Sequence, residues 1–283
     1  MRLHLKLIFA LFALLMISCN KDKSAETPVR VISFNVRTSN ANDGDNSWAN
    51  RCKAIKPMLQ DADPTVFGLQ EARKDQVDYI HGQLRNEYSW YGVARDDGDE
   101  KGEYTAIFWK KDVLTLDEHG TLWLSETPDV PSIGWDAAYK RTATWAFFTV
   151  RSTGRRFMYL NTHLDHQGRT ARFESMKLIK SKVKELNVSD LPVIITGDFN
   201  ADPSSEPGVF AYFNGWASNA RSTAPGADRR NTFNAFGSSA GKMLDHIYYR
   251  NFVPQQYKTI SASYAGVPYI SDHYPILGVF SFE

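Results

Sequence analysis

The segment VIITGDFNADPSS, residues 193–205, turns from aliphatic to polar within a few positions. Val193, Ile194 and Ile195 suit a buried strand, and Asp198 and Asn200 follow two residues apart. Alternation along an extended chain points Asp198 and Asn200 to one face and Phe199 to the other. Taken alone, the segment is either a turn opener or the floor of an active site. The same change recurs elsewhere. VISFNVR delivers Asn35, VFGLQEAR delivers Glu71, GEYTAIFW opens with Glu103, and YLNTHLDH delivers His163. MLDHIYY delivers Asp245, and YISDHYPI delivers Asp272 and His273. One strand-end Asp or His is usually a turn residue or a packed side chain. A recurring set restricted to Asn, Glu, Asp and His has the groups that hold hard cations and move protons.

These residues need strands to carry them. Strand-like runs are expected at 29–36, 65–69, 104–110, 113–116, 144–151, 156–164, 191–199, 243–249, 257–263 and 274–282, with Gly, Pro and Asp punctuation between them. Amphipathic helical patterns cover 48–60, 75–85 and 169–186, the last with Phe173, Met176, Ile179 and Val183 on one stripe. Many strands with helices between them predict an α/β protein with two sheets, one core and outer helices. No internal repeat or linker divides residues 29–283, so a single domain is expected there.

The N-terminus reads differently. MRLHLKLIFALFALLMISC carries Arg2 and Lys6, then an apolar run from Leu7 to Ile17, then Ser18 and Cys19. This is the pattern of a signal peptide over residues 1–19. Cys19 after a small residue resembles a bacterial lipobox, which predicts acylation there, export and anchoring at a membrane. Residues 20–28 are polar, end in Pro28 and suit a flexible tether. Removing residues 1–19 takes two basic residues and no acid from 33 Lys/Arg and 32 Asp/Glu, leaving a net charge of −1. That is a poor footprint for tight nonspecific binding to a nucleic-acid backbone. Only Cys52 remains beyond Cys19, so an internal disulfide and a Cys-rich zinc site are both excluded.

SFNVR, LQEAR, GEYTAIFW, KRTATW, NTHLDH, GDFN, LDHIYY and SDHYPI occur in the order of the endonuclease/exonuclease/phosphatase superfamily, and the set resembles that family over residues 29–283. The resemblance implies a four-layer α/β sandwich of the deoxyribonuclease I type, two mixed sheets face to face with helices outside. It also implies metal-dependent cleavage of phosphate esters, in which a divalent cation offsets the negative phosphate oxygens. By the same resemblance Glu71 is the direct metal ligand, with Asn35 and Asp272 as neighbouring ligands, direct or through water. Mg²⁺ is the expected ion, Mn²⁺ and Ca²⁺ being alternatives. Asp198 with His273 would orient and deprotonate the attacking water, Asp245 would back His273, and Glu103 would back His163. Asn200 and Arg141 would donate hydrogen bonds to the phosphate.

His163 in NTHL is the residue type of the deadenylase, sphingomyelinase, phosphoinositide phosphatase and deoxyribonuclease branches. The wording around it resembles an exported bacterial group similar to the deadenylase branch. Loops 89–104, 131–141 and 214–230 hold aromatics and acids and should choose the substrate; Trp135 and Tyr139 are candidates to stack on a sugar or base. A near-neutral chain favours a small phosphorylated molecule or a lipid headgroup. The alternatives are a secreted nuclease and, from a different class, an inactive lipid-tethered binding protein. Inactive relatives usually lose a metal or base residue, and here every motif residue is present. Apart from the membrane anchor no partner is implied, and a monomer is expected.

Overall fold

The computed structural model describes residues 28–239 and 241–283. The expected signal peptide, Cys19 and all of the tether but Pro28 lie outside the described residues. Among the described residues no helix is long and apolar enough to cross a membrane.

In chain order the first strands are β1 (Val29–Asn35), β2 (Val66–Gln70), β3 (Tyr88–Tyr91), β4 (Ile107–Lys110), β5 (Leu114–Trp123) and β6 (Thr142–Val150). They are followed by β7 (Arg156–His163), β8 (Val193–Asp198), β9 (Ser218–Asn219), β10 (Asp245–Arg250), β11 (Phe252–Thr259) and β12 (Ile276–Phe282). The helices are α1 (Trp48–Arg51), α2 (Ile55–Ala62), α3 (Lys74–Leu84), α4 (Arg169–Leu186) and α5 (Ala220–Thr223). Two six-stranded sheets result, ordered β11-β12-β1-β2-β4-β3 and β5-β6-β7-β8-β10-β9. Both are mixed: β1 runs parallel to β2 and β7 parallel to β8, while their other neighbours are antiparallel.

Three buried clusters mark three contacts between four layers. Met58 and Leu59 of α2 and Val77 and Ile80 of α3 pack with Ile32, Phe34, Phe67 and Phe108 on the outside of the first sheet. Val31, Val66, Ile107, Phe148, Tyr159, Ile194, Ile247 and Phe280 fill the space between the sheets. Met176, Ile179 and Val183 of α4 pack with Met158, Leu160 and Ile195 outside the second sheet. Each of those three α4 side chains contributes about 1.5–3 kcal/mol through burial.

Alternation places the polar residues. On β1, Ile32 and Phe34 face α2 and α3, so Val31, Ser33 and Asn35 face the opposite sheet. On β8, Ile195 faces α4, so Ile194, Thr196 and Asp198 face inward, and on β7 the inward set is Tyr159, Asn161 and His163. The inward faces are therefore apolar at one end of the sandwich and polar at the other. Between the two ends lies a hydrogen-bonded seam. Asn161 Oδ1 accepts from Gln70 Nε2 at 2.6 Å and Thr196 Oγ1 at 3.1 Å, and Asn161 Nδ2 donates to Leu69 O at 2.8 Å. Gly68 leaves room for this amide: a Cβ there would lie 2.3 Å from Asn161 Cγ.

Some boundaries depart from the sequence expectation. The helix expected over 48–60 is interrupted by a 3-10 turn at Cys52–Ala54 and resumes as α2, with Pro57 in the first turn, where no N–H is needed. The strand expected from residue 104 starts at Ile107, because Tyr104 instead bridges Ala72 and Ala94. Glu103 therefore precedes the strand it was expected to open. β11 begins earlier than expected despite Pro254; it is an edge strand, and the proline sits at a register shift.

Candidate active site

One edge of the sandwich collects the whole candidate set. Asn35, His163 and Asp198 close β1, β7 and β8, and Glu71 follows β2. Arg141 and Asp245 arrive at strand beginnings, because β6 and β10 run antiparallel to β7 and β8. Asp272 and His273 lead into β12, which is antiparallel to β1. Strand ends of one direction and strand starts of the other thus meet at one place.

At the centre, the fully buried Asn35 side chain joins two carboxylates. Its Nδ2 donates to Glu71 Oε1 and to Asp198 Oδ2, both at 2.9 Å. Its Oδ1 accepts from Arg37 N at 2.9 Å, so it is turned away from them. In this arrangement the Asn35 amide orients the two carboxylates. Glu71 Oε2 accepts from Thr38 N at 3.0 Å. Arg37, Glu71 and Asn200, each just past a strand end, adopt left-handed backbone at φ 55°, 60° and 47°. Such conformations cost roughly 1–3 kcal/mol at non-glycine positions and concentrate at functional sites.

This centre fits a divalent ion. Glu71, His163 and Asp198 each present a ligand atom within 4.8 Å of the others, two of the three being carboxylate oxygens. Asp272 lies beside them, Oδ1 accepting from Ser271 Oγ at 3.2 Å and Oδ2 lying 3.7 Å from Arg37 Nε. Burial and the Glu71 charge raise its carboxyl above the ordinary range, as expected of an acid set waiting for positive charge.

On one side stands a carboxylate–imidazole pair. His273 Nδ1 lies 2.7 Å from Asp245 Oδ2, and Nε2 lies 3.7 Å from Asp198 Oδ2. Burial acts to discharge His273, but the Asp245 and Asp198 carboxylates outweigh it and raise the imidazole well above its ordinary range. Burial pushes Asp198 up to about 7, with Asp245 adding to the effect and His273 opposing it. The three groups titrate as a unit.

The other imidazole is held differently. Glu103 Oε2 lies 3.9 Å from His163 Nδ1, too far for a hydrogen bond, and is bound at 2.5 Å by Arg95 Nη1. The expected Glu103–His163 dyad is corrected: Arg141 Nη1 occupies Nδ1 at 3.1 Å. At the opposite ring nitrogen, Asn200 Nδ2 lies 3.0 Å from Nε2 while also donating to Leu164 O at 3.0 Å. Burial, then the Arg141 and Arg95 charges, lower the imidazole well below its ordinary range and keep His163 neutral. A neutral imidazole has one acceptor nitrogen, and both neighbours can only donate. One N–H of Arg141 or Asn200 is therefore always in surplus beside the cleft.

The cleft over these residues holds about 350 Å³ and is lined by Arg37, Arg95, Tyr139, Arg141 and His166 as well as by the acids and imidazoles. Tyr139 lies on it, 52% exposed, with its ring stacked on His166 at 5.7 Å. Trp135 is not among the lining residues. Arg95 and His166 are contributors that the strand-end pattern misses. His166 lies three residues past the end of β7, in the quoted NTHLDH, and its tie to Arg141 Nη2 at 3.1 Å brings it in. Arg95 sits in an irregular loop, and no local signal marks it.

Comparison with known proteins agrees with this geometry. The sequence model of the endonuclease/exonuclease/phosphatase family matches residues 32–273. A solved protein of that family from Bacteroides thetaiotaomicron is 35% identical, with 91% of this chain and 98% of that chain covered and a TM-score of 0.84. A mannosyl-6-phosphatase from Bacteroides thetaiotaomicron is also 35% identical, covering 90% of this chain and 100% of that one, with a TM-score of 0.84. The human Nocturnin catalytic domain shares the fold at 19% identity and a TM-score of 0.72, with 91% of this chain and 94% of that one covered. The architecture is the deoxyribonuclease I-like sandwich. With the family matched over most of its length and the acid and imidazole set assembled, the chain belongs to the endonuclease/exonuclease/phosphatase family and is a metal-dependent phosphoric ester hydrolase.

Proposed function

We propose that the protein hydrolyses the phosphate monoester of a small sugar, with Mg²⁺ as its ion, and that it does so outside the cytoplasm, tethered through an acylated Cys19. The observation that carries the substrate reading is the donor surplus at His163. Both ring nitrogens of His163 face N–H groups, and Arg37, Arg95 and Arg141 line the cleft beside the acids, so an anion bound on that side finds donors ready for it. A cleft of about 350 Å³ suits a phosphate with one sugar ring better than a polymer. The near-neutral mature chain adds no attraction for a long polyanion. The likeness to a mannosyl-6-phosphatase points the same way.

The bound divalent ion would supply charge neutralisation at the phosphate oxygens, held by Glu71 and Asp198 with Asp272 beside them. Asn200 Nδ2 and the Arg141 guanidinium bind the non-bridging oxygens and orient phosphorus toward the attacking water. Asp198 Oδ2 takes the proton of that water. His273, kept protonated by Asp245, gives a proton from Nε2 to the leaving sugar oxygen, so the products are the free sugar and inorganic phosphate.

Turnover of mannose 6-phosphate, glycerol 3-phosphate, bis(p-nitrophenyl) phosphate and single-stranded DNA with MgCl₂ tests this reading. The expected result is a kcat/KM for the hexose phosphate at least about tenfold above the diester and the DNA, equivalent to about 1.4 kcal/mol. DNA cleaved better than every small ester would replace the proposal with a nuclease. For the tether, Cys19→Ser should move the protein from the membrane to the soluble fraction; an unchanged distribution refutes the lipid anchor.

A further inference from the structure

Asp165 is absent from every motif role assigned above, yet its carboxylate is the junction of the substrate wall. It lies two residues past His163 and is buried. Oδ1 accepts from Gly168 N at 2.7 Å and Gln167 N at 2.9 Å, in the turn that leads into α4. Oδ2 accepts from Arg141 Nε at 3.2 Å and from Tyr139 N at 3.3 Å, and Ala138 N donates to the carboxylate as well.

Arg141 shows why this junction matters. Its guanidinium is buried, and three nitrogens face three different partners: Nε faces Asp165, Nη1 faces His163 and Nη2 faces His166. The planar group is fixed in rotation at Nε, and its two terminal nitrogens are thereby turned to the cleft side that His163 and His166 line. Remove the Nε contact and the same charge is free to rotate about the side-chain torsions. The same carboxylate fixes the backbone of Ala138 and Tyr139, so the exposed Tyr139 ring and the guanidinium share one mount.

We propose that Asp165 is a positioning residue that aims Arg141 at the substrate phosphate and sets the Tyr139 wall against it. This rests on the reading of Arg141 as a phosphate donor, and the two fail separately. The experiment is a double-mutant cycle on the full chain with MgCl₂ present, using inorganic phosphate as the calorimetric probe. Arg141→Ala should weaken phosphate about tenfold, as loss of a charge-assisted hydrogen bond does. Asp165→Asn should weaken it by a similar factor, and the double variant should bind no more weakly than Arg141→Ala alone. A purely structural Asp165 would give additive losses instead. Unchanged affinity in Arg141→Ala overturns the phosphate-donor reading. A loss in Arg141→Ala with additive or absent effects of Asp165→Asn overturns only the positioning role. Should Asp165→Asn fail to fold, Arg141→Lys carries the test. Lysine keeps the charge beside Asp165 but has no second nitrogen to aim, so it should bind phosphate as weakly as Arg141→Ala, and retained affinity overturns the proposal.

Discussion

Asp198 and Asp245 are cross-strand partners on the β8–β10 ladder, 1% and 0% exposed, and His273 stands between their charges. Two bare carboxylates so placed and so buried would repel strongly. The proton on His273 resolves the conflict and leaves Asp198 able to take another near neutral pH. The pairing register, which alternation of side chains sets, thus also sets the acid–base properties of the site.

Asp245→Asn should therefore disable turnover and spare the fold. The amide oxygen still accepts from His273 Nδ1–H, so the ring stays in place, but the charge that keeps the imidazole protonated is gone. Loss of a positioned proton carrier is worth about 10²–10⁴ in rate. The readout is kcat on whichever ester the wild type cleaves best, alongside the thermal midpoint. A decrease in kcat smaller than about tenfold would remove Asp245 from the proton path.

Metal affinity should depend on pH with a known sign. In the metal-free protein burial holds the Asp198 carboxyl protonated up to about pH 7, and a cation must displace that proton. Affinity should be level above pH 7 and should weaken by up to about tenfold per unit as pH falls below it, for one proton released. Calorimetric titration with MgCl₂ in buffers of different ionisation enthalpy measures both the slope and the proton count. Glu71→Gln should lower the affinity across the whole range. Binding that is independent of pH between 6 and 8 would contradict the assignment of Asp198 as a ligand.

The site was more legible than the pairings within it. Asn35, His163 and Asp198 could be read because an inward-facing series on each strand turns from apolar to polar at its end, as in Ile194, Thr196 and Asp198. Arg141 and Asp245 were legible only through their motifs, since they begin antiparallel strands and no periodicity precedes them. Which partner each residue takes depends on contacts between distant segments. Glu103 faces Arg95 because the loop before β4 folds back on itself, with Arg95 N donating to Glu103 O at 3.0 Å. Nothing in GEYTAIFW announces that. β3 was missed for a similar reason: Tyr88–Tyr91 is short and half-buried, and becomes a strand by pairing with β4 at the sheet edge.

His246, one residue beyond Asp245, separates structural from catalytic histidines and gives a stability prediction. It faces outward from β10 among Phe199, Phe210 and Tyr248. Nε2–H donates to Ala201 O at 3.2 Å, and Nδ1 accepts from Asn219 Nδ2 at 3.2 Å, so both nitrogens are satisfied by the neutral ring. Burial lowers its imidazole to about 4 from an ordinary 6.5. The unfolded chain therefore takes up this proton near pH 6.5, while the folded chain takes it up only near pH 4. The stability owed to the neutral ring is complete above 6.5 and declines as pH falls from 6.5 to 4, by about 3 kcal/mol in all. His246→Gln keeps a donor and an acceptor without a titrating proton. It should be less stable than wild type at pH 7 by about 1–2 kcal/mol through lost packing, and the gap should narrow or reverse by pH 4.5. Urea unfolding at pH 7, 5.5 and 4.5 reads the two curves; if they run parallel, the buried imidazole is not what makes the fold acid-sensitive.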